Sequence, residues 1–308
     1  MIDLCVVGLH AIRMVVLCNQ MNATICTFEG TLVIATGTNE LLCELRERVA
    51  IVTLNKPHKK NALGDILTPA LRALLPQLEC RDDVGCVMIT GAGNAFCSGG
   101  DVSEMGGDPS PNAIPPSVEQ RIADLTERQQ ALTGRLYHLH KPTIAALPGA
   151  AAGAGLSIAL ACDLRVAADD ALLVTAFRNV GLTGDYGASW FLPRLVGLAR
   201  AKSLFYLSPR LTAQEAERIG LVDRVFPAAT FRDDALNYAI EIANGPTQAL
   251  AKMKVNLQSG LEQPLAASFA LEAKHMIESG SGGEAREAIA AFMNKRKPSF
   301  HGSSKAGP

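Results

Sequence analysis

The chain has 308 residues, 48% of them apolar, 19% charged and only 5% aromatic, with 27 glycines. That composition belongs to a globular protein able to bury a sizeable core. Its 29 basic and 30 acidic side chains leave a net charge of -1, which gives no basis for a basic nucleic-acid-binding face.

Residues Leu4 to Cys18 are apolar apart from His10 and Arg13, a run shorter than the roughly 20 residues a membrane span needs. A secretory leader wants a basic start, whereas Asp3 is the first charge. Residues 1–38 therefore read as an atypical extension, either in part disordered or the product of an early start codon. From Glu40 the pattern becomes regular: Leu41–Leu45 and Val49–Leu54 are β-rich runs flanking Arg46-Glu47-Arg48, the signature of a hairpin. Ile66 to Leu78 carries apolar residues at helical spacing despite Pro69 and Pro76, and Val84–Thr90 is a buried-type strand.

A Gly/Pro/Ser-rich loop from Met105 to Pro116 precedes a long helix expected from about Val118 to Leu139. Thr143–Leu147 is the next strand, Gly153–Ala161 a small-residue helix, and Asp163–Ala167 and Leu172–Val174 are short strands. After Gly187 the spacing predicts helices near 188–196, 212–218, 231–243, 246–258, 263–278 and 284–297. Strands alternating with helices and then a helical tail argue an α/β architecture, with a core over 39–230 and a helical segment over 231–308. The eight cysteines form no CxxC pair and have no histidine cluster beside them. A metal is therefore not expected, and reduced cytoplasmic thiols are.

Two segments could carry chemistry. In the first, Asn94–Val102, the adjacent Gly99 and Gly100 free the backbone to expose N–H groups, and Asp101 could cap a following helix. The second, Lys141–Ser157, runs from a strand through a tight turn into a helix start built of small residues, where unpaired N–H groups and the positive dipole end meet. It has neither the Gly-Lys-Ser/Thr of a phosphate loop nor dinucleotide glycine spacing. On residue type alone, an ordinary glycine turn and close helix packing explain each.

Taken together, Phe96-Cys97-Ser98-Gly99-Gly100-Asp101-Val102, Lys141 through Leu156 and Ala161 through Ala167 resemble the signature blocks of the crotonase (enoyl-CoA hydratase/isomerase) superfamily. So do Lys56-Pro57 with Asn61-Ala62-Leu63, and Leu211 through Ala216 with Gly220-Leu221-Val222, all in order between about Glu40 and Phe300. The resemblance implies a spiral of ββα turns followed by a C-terminal helical trimerisation segment, in homotrimers or hexamers. It implies an acyl-CoA thioester substrate, so that coenzyme A arrives as part of the substrate and no separate cofactor, nucleic acid or membrane is involved. The oxyanion donors would be the N–H groups of Gly100 and Ala154. Substrate-binding positions would be Lys56, Asn61, Ala62, Leu63, Ser98, Gly99, Asp101, Gly153 and Phe177, with Lys295 in a basic run that approaches a neighbouring subunit's CoA.

The sequence departs from the family's hydratase pattern at both catalytic glutamates, whose positions match Ser157 and Phe177. Neither can act as a base at neutral pH. Asp185, in Gly184-Asp185-Tyr186-Gly187, matches the single catalytic aspartate of the ring-epoxide phenylacetyl-CoA and dienoyl-CoA isomerases. Relatives that dehalogenate aryl-CoA thioesters use that position as a nucleophile. Without the resemblance, an Asp before a helix is an ordinary N-cap. With it, one carboxylate removing and returning a proton fits a double-bond or ring isomerase. The alternatives are a hydratase with a remodelled water site, a non-catalytic acyl-CoA-binding protein, and covalent attack by Asp185.

Overall fold

The computed structural model describes residues 15–17, 25–28, 31–101 and 115–301. Strands β1 (Val15–Leu17), β2 (Ile25–Phe28), β3 (Thr31–Ile34), β4 (Leu41–Arg46) and β5 (Val49–Leu54) pair antiparallel in sequence order. The segment before residue 39, read from sequence as an extension, thus contributes three short strands to the sheet edge. Its other stretches, 1–14, 18–24 and 29–30, lie outside the described residues, as do the partial disorder expected there and Cys5 and Cys18. The expected β4–β5 hairpin turns on Glu47 and Arg48, both left-handed with φ 44° and 70°. That backbone twist matches the twist of the flanking strands.

Helix α1 (Leu67–Glu79) buries Leu67, Leu71, Leu74, Leu75 and Leu78 along one stripe, and neither Pro69 nor Pro76 ends it. The chain then repeats one unit. Strand β6 (Cys86–Gly91) is followed by β7 (Ala95–Cys97) and by α2 (Val118–Gln129). A π-helical turn over Gln130–Gly134 continues α2 into α3 (Arg135–His138). Next come β8 (Thr143–Leu147), β9 (Ala150–Ala152) and α4 (Ala154–Ala161), then β10 (Leu164–Ala168), β11 (Leu172–Val174), α5 (Ala188–Val196) and α6 (Leu198–Leu207). The first strands β6, β8 and β10 lie parallel in a nine-stranded sheet, and the second strands β7, β9 and β11 lie parallel in a four-stranded sheet. Each turn of chain therefore lays one strand in each sheet and a helix outside, which is a spiral of ββα turns. The helices differ in length, so no sequence period betrays the repeat.

Strand β12 (Leu211–Thr212), α7 (Ala213–Arg218) and β13 (Arg224–Phe226) close the two sheets. The mostly helical stretch expected after Gly187 thus also holds these two short strands, and α6 fills 198–207, where the spacing places no helix. Helix α8 (Phe231–Ala243) buries Phe231, Ala235, Ala239 and Ala243 against the large sheet. Helices α9 (Thr247–Gly260), α10 (Leu265–Gly280) and α11 (Gly283–Met293) follow, and neither α9 nor α10 has a buried residue. Lys254 of α9 is tied to the spiral through Asp163, at 2.9 Å. Asp163 also accepts from the N–H and hydroxyl of Thr143. Among the described residues, no helix is long and apolar enough to cross a membrane.

Candidate active site

Both segments singled out from sequence follow second strands of the spiral, and the parallel β7–β9 pairing brings them side by side. Contact is backbone to backbone. A Cβ built on Gly99 would lie 3.1 Å from the Ala152 carbonyl oxygen and 3.6 Å from the Ala154 nitrogen. One built on Gly153 would lie 3.9 Å from the Gly99 Cα. Both glycines have positive φ, 98° and 52°, which disfavours any side chain at either place. Deeper in, Gly155 rests on Cys97, where an added Cβ would come within 2.7 Å of Cys97 Sγ.

The two N–H groups of interest are left free by their surroundings. Leu63 N–H donates to Gly99 O and Asp101 N–H to Leu63 O, both at 2.8 Å, which brackets Gly100 in a parallel bridge. The main-chain groups of Gly100 itself then point to the other side. Ala154 is the first residue of α4, where an N–H has no partner within the helix. Ser157 fixes that peptide from behind. Its N–H (3.0 Å) and its fully buried hydroxyl (3.2 Å) both donate to Gly153 O, the carbonyl of the Gly153–Ala154 peptide. Among the described residues, neither the Gly100 nor the Ala154 N–H donates a hydrogen bond.

Phe177 joins this pair to the acid. Its ring lies 3.9 Å from the position a Gly153 Cβ would take, and 3.5 Å from that of Gly184. It stacks on Phe205, with centroids 6.0 Å apart and planes at 13°. Asp185 follows Gly184 directly, and the structure removes its reading as a helix cap. The N-cap of α5 is Gly187, and no side chain caps it. Only the Asp185 main-chain oxygen bonds the helix, accepting from Ala188 N–H at 3.2 Å. The carboxylate Oδ1 is buried without a hydrogen-bond partner among the described residues. Burial pushes the carboxyl pKa up to about 6, because the charged form loses hydration. Trp190 packs against Tyr137 and Phe191, under the Arg194 guanidinium at 3.5 Å. Tyr186 is buried and, like Asp185, half of a Gly-flanked loop.

A family model described as enoyl-CoA hydratase/isomerase matches residues 44–303. The chain belongs to the enoyl-CoA hydratase/isomerase family. The "1,2-epoxyphenylacetyl-CoA isomerase" of Escherichia coli is 35% identical over 264 residues, covering 85% of this chain and 98% of that protein. The "Probable enoyl-CoA hydratase" of Rhodobacter capsulatus is 37% identical over 259 residues, covering 84% and 96%. The crystal structure of an enoyl-CoA hydratase from Bacillus anthracis superposes with TM-score 0.78 at 29% identity, over 85% of this chain and 99% of that one. The crotonase-type fold expected from sequence is thereby the fold of this chain, a mixed α/β spiral with a helical C-terminal segment.

Within that family fold, several expected substrate-binding side chains already have partners. Lys56, 5% exposed, pairs with Asp101 at 3.3 Å, and Lys59 pairs with the same carboxylate oxygen at 2.7 Å. The two lysines thus brace the segment that holds Gly99, Gly100 and Asp101. The helix that Asp101 was expected to cap, Val102, and the glycine-rich loop as far as residue 114 lie outside the described residues. Asn61, fully buried and left-handed at φ 56°, donates to Ala92 O and Ala95 O and accepts from Lys56 N–H. Its amide is a clip between loops and has no face left for a ligand. Ala62 and Leu63 are buried beside it, while Ser98 is exposed, its hydroxyl donating to Lys59 O at 3.2 Å. Lys295, exposed after α11, makes no hydrogen bond or ion pair with this cluster among the described residues.

Sequence reasoning missed three contributors. The Ser157 hydroxyl was weighed only as a failed base, Phe205 not at all, and Gln129 only as part of a helix. Gln129 Oε1 accepts the Tyr186 N–H at 2.6 Å. The contacts of Phe205 and Gln129 join distant parts of the chain, and the Ser157 contact, only four residues long, depends on how the Gly153 turn is built.

Proposed function

We propose that this chain isomerises unsaturated or ring-derived acyl-CoA thioesters, with Asp185 as the single proton carrier. The observation that carries the reading is the Asp185 carboxylate: half-buried, unpartnered at Oδ1, and joined through the Phe177 ring to the turn that presents Ala154. The thioester oxygen would sit between the N–H groups of Gly100 and Ala154 while negative charge grows on it. One such donor is worth roughly 3 kcal/mol in the transition state. Asp185, with a pKa of about 6, is ionised at neutral pH yet basic enough to take a proton next to the carbonyl. It then returns the proton further along the conjugated system, which moves the double bond. Ser157 is turned to Gly153 O and Phe177 is apolar, so the two positions that hold water-activating glutamates in family hydratases supply no base.

The name of the Escherichia coli relative, an epoxyphenylacetyl-CoA isomerase, fits this single-carboxylate arrangement. The assembly we propose is a homotrimer or hexamer, because α9 and α10 leave Leu257, Phe269 and Met276 exposed on a surface that none of the described residues covers. Free cysteines at 43, 80, 86, 97 and 162 suit a reducing cytoplasm.

The test uses 3-enoyl-CoA and 2-enoyl-CoA, with conjugation and water addition followed separately. Wild-type protein is expected to move the double bond, and Asp185→Asn to lose at least a hundredfold in kcat, as removal of a general base does. Hydration that survives the substitution would show that a different water site carries the reaction. Thioester binding without turnover would leave a binding protein, and an acyl adduct on Asp185 by mass spectrometry would make it a nucleophile.

A further inference from the structure

The loop that carries Asp185 has an unusual backbone. Gly184, Tyr186 and Gly187 all have positive φ, at 104°, 49° and 79°. A tyrosine in the left-handed region is disfavoured, so something outside the loop must hold it there. Glycines on either side supply no stiffness of their own. The loop receives one side-chain hydrogen bond among the described residues. Gln129 Oε1 accepts the Tyr186 N–H at 2.6 Å, across 57 positions in sequence.

Gln129 itself sits at a special place. It is the last residue of α2, immediately before the π-helical turn of Gln130–Gly134. The Thr133 hydroxyl donates to its main-chain oxygen at 3.2 Å, and Leu132 and Thr133 are buried, so the turn is locked into the core. One extra residue in a helical turn rotates everything before it by part of a turn, which is how such turns re-aim side chains at functional sites. A regular helix would carry the residue at 129 on a different heading.

We infer that Gln129 is the positioning residue of the reaction, its amide oxygen fixing the Tyr186 peptide so that the Asp185 carboxylate stays aimed beside the Ala154 turn. This inference rests on the reading of Asp185 as the proton carrier. A carboxylate that must both remove and return a proton has to keep reacting atoms close through two steps, and a misplacement of about 1 Å can cost a hundredfold in rate. Gln129 touches neither the carboxylate nor, by its role, the substrate. It acts on turnover and not on binding.

Two variants test it, alongside Asp185→Asn. Gln129→Met keeps length and removes the acceptor; kcat is expected to fall at least tenfold with KM within about twofold. Gln129→Glu keeps an acceptor oxygen and adds a charge. It is expected to recover most of the turnover at high pH, with the acidic limb of the pH–rate profile displaced upward, because a second carboxylate beside Asp185 disfavours its ionisation. The other titratable groups around the loop are Tyr186, Arg72 from α1, and Asp124 and Arg128 from α2, and all stay in place in both variants. A folded Gln129→Met enzyme turning over like wild type would overturn the inference, as would a Gln129→Glu enzyme with an unmoved acidic limb. Should Gln129→Met fail to fold, the Gln129→Glu profile decides alone. If Asp185→Asn itself retained isomerase activity, the failure would lie with the proton-carrier reading and not with Gln129.

Discussion

A carboxylate kept from water is a cost that the folded protein carries at every pH where it is charged. An unfolded aspartate ionises at about 3.9, whereas Asp185 in the fold ionises at about 6. The folded pKa is the higher one, so the fold binds the proton more tightly than the unfolded chain does. Stability contributed by this group is complete below about pH 4, falls as pH rises towards 6, and stays lowered above that. Full linkage over such a shift is close to 3 kcal/mol. Partial exposure of the side chain reduces that to about 1–2 kcal/mol. Asp185→Asn is therefore expected to raise thermal stability by that amount at pH 8 and to change it little at pH 4. Denaturation midpoints at the two pH values check this, and an Asn variant less stable than wild type at pH 8 would contradict it. Increased stability together with lost turnover is the usual mark of a strained catalytic group.

Among the elements, close backbone approach is what makes the site, and β7 and β9 deliver it with the sequences Ala-Phe-Cys and Ala-Ala-Ala. Neither strand shows alternation or a β-branched run, so periodicity could not reveal them, and the chain there reads as loop and turn. The longer elements were legible. Strand β8 and helices α5 and α8 fall where spacing puts them, because β8 is apolar and buried throughout and each helix buries an apolar stripe. The small residues do carry a message of another kind, namely that two backbones must touch. Gly155 is the sharpest case, since an added methyl would lie 2.5 Å from Cys97 O and 2.6 Å from Cys97 Cβ. Gly155→Ala is expected to cost about 1–3 kcal/mol by overpacking. It should also lower isomerase kcat more than thioester affinity, because prying α4 from β7 moves Ala154 away from Gly100. Urea midpoints and kcat with KM on the purified variant measure both. Unchanged stability would mean that the contact relaxes at no cost.

At the scale of the whole molecule, the chain is a spiral that encloses its core and then sends out helices that do not. Helix α8 still belongs to the spiral, so the division read from sequence at residue 231 falls one helix before the packing changes. Beyond it, Leu257 is 76% exposed and Met276 73% exposed on helices that bury nothing of their own. Sedimentation of the full chain is expected to give a trimer or hexamer, and the double substitution Leu257→Glu with Met276→Glu to shift it towards monomer. A wild-type chain sedimenting as a monomer at micromolar concentration would remove the assembly reading. The sequence blocks singled out Gly100, Ala154 and Asp185 because they resemble short linked motifs of the family. They could not show Lys56, Lys59 and Asn61 turned inward as braces, since that depends on which loops the spiral stacks together.

The ring of Phe177 lies within 4 Å of where a Cβ would stand on Gly153 on one side and on Gly184 on the other. Under the proposed chemistry, a lever shared in this way ties two quantities that are usually adjusted separately, namely how well an enolate would be cradled and how reluctant the acid is to stay charged. A substitution at position 177 would then be felt in both places at once, at the Gly153–Ala154 turn and at the loop that carries Asp185.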